Sequence, residues 1–279
     1  MAQPGSPAEV NRHGLPPPAP SPLPPALQRV PGLWSAVGLI ATYFVLQVLV
    51  STVAASAIGL MAVLHDTGPV SAHAVSATLE RPATQALLAT LSLGIAAPLT
   101  LWLAQRTWPR LWSQAQPPGL GVAWPRRSVF FALALAVGLT APWLGALLTG
   151  FLAHGHAVPQ DIQQLGSATP LALRIPLMLV VVSVGPLVEE LLFRGVLLSA
   201  LLRRLGAGWS VAISSLAFAL IHLPGLDFQW YALPDLLLLA LVLAWLRLRS
   251  GSIWPAVLAH GVNNLLGVAG WFVLFNVPG

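Results

Sequence analysis

Residues 34–64 contain no charged side chain. A helix needs about 20 apolar residues to cross the hydrocarbon core of a bilayer, and this run exceeds that length. A signal-peptide core is only about 7–15 residues long. Although Ala55-Ser56-Ala57 has the look of a cleavage site, the run reads as an uncleaved, tilted first span. Further apolar segments follow at about 83–104, 128–153, 170–202, 209–222, 233–246 and 252–275. Hydrophobic residues make up 56% of the chain and charged residues 8%, against about 25% charged in a soluble domain. The fold class is therefore all-α: a polytopic membrane helix bundle of about seven transmembrane helices.

The segment at 170–202 is longer than one span requires, and Gly185-Pro186 is expected to break or kink it. Pro186 would then sit in the first turn of the helix that follows. Residues 1–32, rich in proline, are expected to form a disordered tail. We divide the remainder into N-terminal spans at 33–169 and a chemistry-bearing membrane domain at 170–276.

The charges outside the spans give an orientation. Arg12, Arg29, the loop holding Arg106, Arg110, Arg126 and Arg127, then Arg203/Arg204 and Arg247/Arg249 fall on one side. Asp66, Glu80, Asp161 and Asp227 fall on the other. By the positive-inside rule the N-terminus is cytoplasmic. The net charge of +5 is spread over loops, so it reflects topology and not nucleic-acid binding. The chain has no lysine, which with its Ala/Leu/Pro-heavy usage suggests a GC-rich bacterial genome and an inner-membrane location. It has no cysteine, which excludes disulfides, thiolate metal sites and a thiol nucleophile.

Three groups of polar residues interrupt the apolar half. Glu189, Glu190 and Arg194 form the first, and on a helix Glu190 and Arg194 pair at i,i+4 while Glu189 lies about 100° round and faces elsewhere. Phe218 and His222 share a face of the next segment, and His260 and Asn264 share a face of the last. His13, His65, His73, His154 and His156 lie in the tail or loops and receive no role. A charge at bilayer depth costs about 2.5–3.5 kcal/mol on insertion scales, so such groups turn inward and toward one another. A carboxylate can serve as general base and then general acid. Two imidazoles can orient a water, and an asparagine amide can donate to a developing oxyanion. These are the parts needed to hydrolyse an amide. Two histidines and one carboxylate (His222, His260, Glu189) also make a three-ligand zinc set with an open position, and the same groups can hold a water without metal.

Each group alone has a plainer reading: an interfacial histidine, a polar interhelical contact, an ion pair holding helices in register. Their joint occurrence on successive segments favours a functional site. Glu-Glu-x-x-x-Arg, Phe-x-x-x-His and His-x-x-x-Asn, in this order, resemble the CPBP family, the CAAX-protease and bacteriocin-processing (Abi) intramembrane endopeptidases. The likeness covers about residues 170–275 and includes Gly251-Ser252-Ile253-Trp254-Pro255 ahead of Ala259-His260.

The resemblance implies a bundle of seven to eight transmembrane helices with a polar intramembrane cavity, in which Glu189 activates a water with His222, while His260 and Asn264 stabilise the oxyanion. Glu190, Arg194 and Phe218 support the site, and the implied partners are membrane lipid and a membrane-associated, lipidated or unlipidated peptide. The other functional classes are a non-catalytic scaffold or bacteriocin-immunity protein and an ion-coupled transporter. No internal repeat stands out, which weakens the transporter reading. Counting the helical rise from the presumed inner ends of the spans places His260 shallower than His222.

Overall fold

The computed structural model describes residues 30–65, 72–154, 156 and 161–273, so residues 1–29 of the expected tail lie outside it. The elements in chain order are α1 (Leu33–His65), α2 (Ala72–Leu79), α3 (Pro82–Thr107), α4 (Val129–Ala153), α5 (Asp161–Ala168), α6 (Leu171–Leu202), α7 (Ala207–Leu220), α8 (Leu233–Ser250) and α9 (Trp254–Val273). No strand occurs among the described residues. The helices α1, α3, α4 and α6, with the segment Trp230–Ser250 that contains α8, are long and apolar enough to cross a membrane. The protein is a multi-pass membrane bundle. Two short helices, α2 and α5, fall in stretches read from the sequence as loops.

The outer surface is apolar because its solvent is lipid. Val45, Val48, Leu49 and Val53 of α1 and Trp143, Leu147 and Phe151 of α4 are exposed. Inside, helices approach through small residues. A methyl group added at Gly138 of α4 would meet the Ala259 carbonyl and Val262 of α9 at 2.7 Å. That glycine sets the closest approach of α4 to α9, as small residues do when no hydrophobic effect drives association.

The central element is α6, which touches α1, α3, α7, α8 and α9. Gly185-Pro186 does not break it. The chain instead widens to π-helical winding over Val180–Val184 and again over Leu191–Leu197, with Gly185 N–H donating to Val180 O and Leu198 N–H to Phe193 O. Pro186, in the first turn of Gly185–Glu190 as expected, has no N–H to give back to the preceding turn. Side chains of other helices serve the carbonyls at the two wide turns. Asn264 Nδ2 of α9 donates to Val181 O at 3.0 Å, and Ser214 Oγ of α7 donates to Phe193 O at 2.9 Å. At the same turn, a Cβ on Gly261 would lie 2.5 Å from Val182 O.

The arginine-bearing segment after α3 is not a loop in solvent. Leu120 is fully buried, and Arg247, which the sequence placed among the charges at the membrane edge, is fully buried above it. The Arg247 guanidinium donates to Ala115 O (2.7 Å) and Gly119 O (2.8 Å). Arg174 is buried too and donates to the carbonyls of Ser167, Thr169 and Trp271.

Candidate active site

The glutamates enter the bundle from the middle of α6. Glu190 and Arg194 are both completely buried and pair at 2.9 Å. The arginine also donates to Ala240 O of α8 at 3.3 Å. Its guanidinium carbon lies 4.3 Å from the centre of the Phe218 ring, so a cation–π contact adds to the ion pair. Phe218 is the hub of the aromatic layer. It meets Phe193 edge-on at 5.4 Å, His222 at 4.8 Å and His260 edge-on at 5.6 Å.

Both histidines are oriented through Nδ1. In His222 this nitrogen donates to Phe218 O at 2.8 Å, one turn back, as the chain leaves α7. In His260 it donates to Glu190 Oε1 at 3.0 Å. Each ring is therefore held by a partner behind it and presents Nε2 forward. The two Nε2 atoms face the same oxygen, Glu189 Oε2, at 3.9 Å from His222 and 3.8 Å from His260. Those separations are too long for direct hydrogen bonds and leave room for one small group between.

The depth mismatch read from the sequence disappears. Helix α9 does not begin at the membrane edge, because Ile253 N–H donates to Gly121 O and Ser252 Oγ to Ala123 O. Both acceptors belong to the tucked segment after α3, so His260 starts its count from inside the protein. In chain order the glutamates come first and the histidines later, and the bundle brings all of them to one point.

Residues 170–266 match a family model described as type II CAAX prenyl endopeptidase Rce1-like. That match covers about a third of the chain and makes this segment similar to the CAAX-protease family. No curated protein and no solved structure matches it. The polar residues singled out in the sequence all lie inside the matched segment. Six of the seven, Glu189, Glu190, Arg194, Phe218, His222 and His260, are linked by the contacts above. Asn264 lies one turn beyond His260 and gives one amide N–H to Val181, with its Oδ1 3.5 Å from Asn263 Nδ2.

The donor set of this site, two imidazole nitrogens and a carboxylate oxygen, suits a divalent metal in its chemistry. Among the described residues no three such side chains are drawn together closely enough to form a ready cage. Binding one would require Glu189, His222 and His260 to close in. Two side chains passed over in the sequence also belong in this picture. Asp235, in the first turn of α8, presses its carboxylate against Gly145 of α4, where a Cβ would lie 2.0 Å from Oδ1. Tyr43 of α1 is buried and lies within the electrostatic reach of Glu189. The available signal for Asp235 was an acid inside an apolar run; for Tyr43 there was none beyond the chain holding only two tyrosines.

A cavity of about 430 Å³ opens between the wide turn of α6 and the first turns of α9. Its lining is nearly all apolar and includes Val182, Val184, Leu187, Trp254, Val257 and Val262.

Proposed function

We propose that this protein is an endopeptidase that hydrolyses a peptide bond of a membrane-associated, lipidated or unlipidated peptide near the cytoplasmic face of a bacterial inner membrane. The observation that carries this reading is the convergence of His222 Nε2 and His260 Nε2 on Glu189 Oε2 at 3.8–3.9 Å. A water in that space donates to Glu189 and to His222. Glu189 takes its proton as the oxygen attacks the peptide carbonyl carbon. His260 and Asn264 face the carbonyl oxygen as it becomes an oxyanion. His260 donates from Nε2 with its other N–H on Glu190, and Asn264 donates the N–H that Val181 leaves free. As the tetrahedral centre collapses, the C–N bond breaks and Glu189 returns its proton to the leaving nitrogen.

A zinc ion held by Glu189, His222 and His260 would supply Lewis acidity to the same water and carbonyl. The apolar cavity beside Leu187 supports a substrate with an apolar or lipidated segment, since it lets such a segment lie next to the reacting bond.

The test is cleavage of a mixed peptide library, lipidated C-terminal peptides included, by purified detergent-solubilised protein with mass detection. Wild-type protein is expected to cleave, and Glu189→Gln to lose about 10³-fold in rate with unchanged thermal unfolding. Products that persist in Glu189→Gln would sink the assignment of the base. A chelator arm decides the metal: loss of activity restored by zinc establishes it, and full activity in chelator excludes it. A non-catalytic scaffold would give no products, and a transporter would give flux in liposomes without a change in any peptide's mass.

A further inference from the structure

We propose that Tyr43, from the first span and outside the matched family segment, is a further catalytic residue: its hydroxyl donates a hydrogen bond to the peptide carbonyl under attack. The proposal rests on the endopeptidase reading above. It begins with the placement of α1. Arg203 at the end of α6 donates from Nη1 to Pro31 O at 3.2 Å, which pins the start of α1 beside the end of α6. The two helices then run antiparallel, with α1 packed on Leu191–Leu197 and Leu198–Leu202. Tyr43 is twelve residues on from Pro31, and Leu191 is twelve residues back from Arg203. At about 1.5 Å per residue on each, Tyr43 lies level with Leu191, within one turn of Glu189.

The environment of the side chain agrees with that register. Tyr43 is 2% exposed and shares a core with Val188, Leu191 and Leu192. The Glu189 carboxylate acts on its phenol electrostatically. Its hydroxyl has no hydrogen-bond partner among the described residues. A tyrosine in an apolar span ordinarily finds a hydrogen-bond partner for its hydroxyl. In this site Glu190 Oε1 is taken by Arg194 and His260, His222 Nδ1 by Phe218 O, and one Asn264 N–H by Val181 O. A donor left without a partner beside the base is satisfied when a peptide carbonyl arrives.

The experiment compares wild-type, Glu189→Gln and Tyr43→Phe proteins on the peptide library. Phenylalanine keeps the ring and its packing and removes only the hydroxyl. Tyr43→Phe is expected to lower kcat about 10²-fold, with KM within about threefold and unchanged thermal unfolding. A kcat within about twofold of wild type overturns the proposal, as does a loss carried by KM alone or by a lowered unfolding temperature. A second readout needs no turnover. A peptidyl phosphinate, whose tetrahedral phosphorus mimics the attacked carbon, is expected to bind Tyr43→Phe about 10²-fold more weakly by calorimetry. Equal affinity in the two proteins, or none in either, overturns the proposal. Absence of cleavage by wild type, with the phosphinate still distinguishing the two proteins, would overturn the endopeptidase reading while leaving the Tyr43 assignment standing.

Discussion

Phe218 shows how one apolar side chain can organise charged ones. Its face receives the Arg194 guanidinium and its edges border both imidazoles, so it fixes the distance between the Glu190–Arg194 pair and the two histidines. Phe218→Leu keeps most of the volume but loses the π-face, worth about 0.5–2 kcal/mol against a desolvated cation. We expect it to lower stability by about 1–2 kcal/mol in a chemical-unfolding titration and to cut turnover at least tenfold. Stability loss without a change in turnover would mean that the ring only fills space. At this scale the sequence was informative wherever polarity stood out in an apolar background. The i,i+4 pairing of Glu190 with Arg194 followed from helical spacing alone, as did the shared face of Phe218 and His222. The contact of His260 with Glu190 did not, because it joins residues seventy positions apart.

At the scale of elements, the wide turn over Val180–Val184 places the site. A proline in this position was expected to break or kink the helix, because its ring removes an N–H and crowds the preceding turn. In α6 the added residue per turn absorbs that crowding, and Asn264 and Gly261 of α9 come up to the carbonyls left exposed. One consequence is that Asn264 anchors α9 on α6 as well as standing ready for an oxyanion. Another is that Gly261 cannot be enlarged: a Cβ there would lie 2.5 Å from the backbone oxygen of Val182, which cannot swing aside. Gly261→Ala is therefore expected to push α9 off α6 and carry His260, the preceding residue, with it. Displacements on the order of 1 Å at a reacting centre cost about 10²-fold in rate, so kcat should fall between tenfold and a hundredfold while the protein still folds. Unchanged kcat would show that the helices part without moving the histidine.

Across the whole molecule, the segment between α3 and α4 acts as a floor beneath the site. Arg247 closes it by donating to Ala115 O and Gly119 O, and Gly121, at φ +76°, turns the chain where a side chain would collide with that guanidinium. The start of α9 hangs from the same segment through Ile253 and Ser252, so the floor also sets the height of His260. Replacing Arg247 by methionine keeps an apolar stem and deletes two charge-assisted hydrogen bonds, each worth about 1.5–3 kcal/mol. The expected result is a loss of about 3 kcal/mol in stability and faster proteolysis between residues 108 and 128 in limited-digestion experiments. Digestion at the wild-type rate would mean that the segment is held by Leu120 and its neighbours alone.

The sequence by itself determined that this chain is a membrane bundle, where most helices lie, and which polar residues interrupt the apolar half. Length and polarity decide those matters in lipid, where an apolar run must span and a charge must find a partner. It could not show that the segment after α3 tucks inward while its own arginines stay exposed, since the arginine that holds it, Arg247, comes from far along the chain. Nor could it show that α6 widens instead of breaking, because the groups that relieve Pro186 come from α9, far along the chain. The 3.8–3.9 Å convergence on Glu189 and the approach of Tyr43 from α1 belong to tertiary structure alone. They depend on how three helices and one turn pack, and no local periodicity records that.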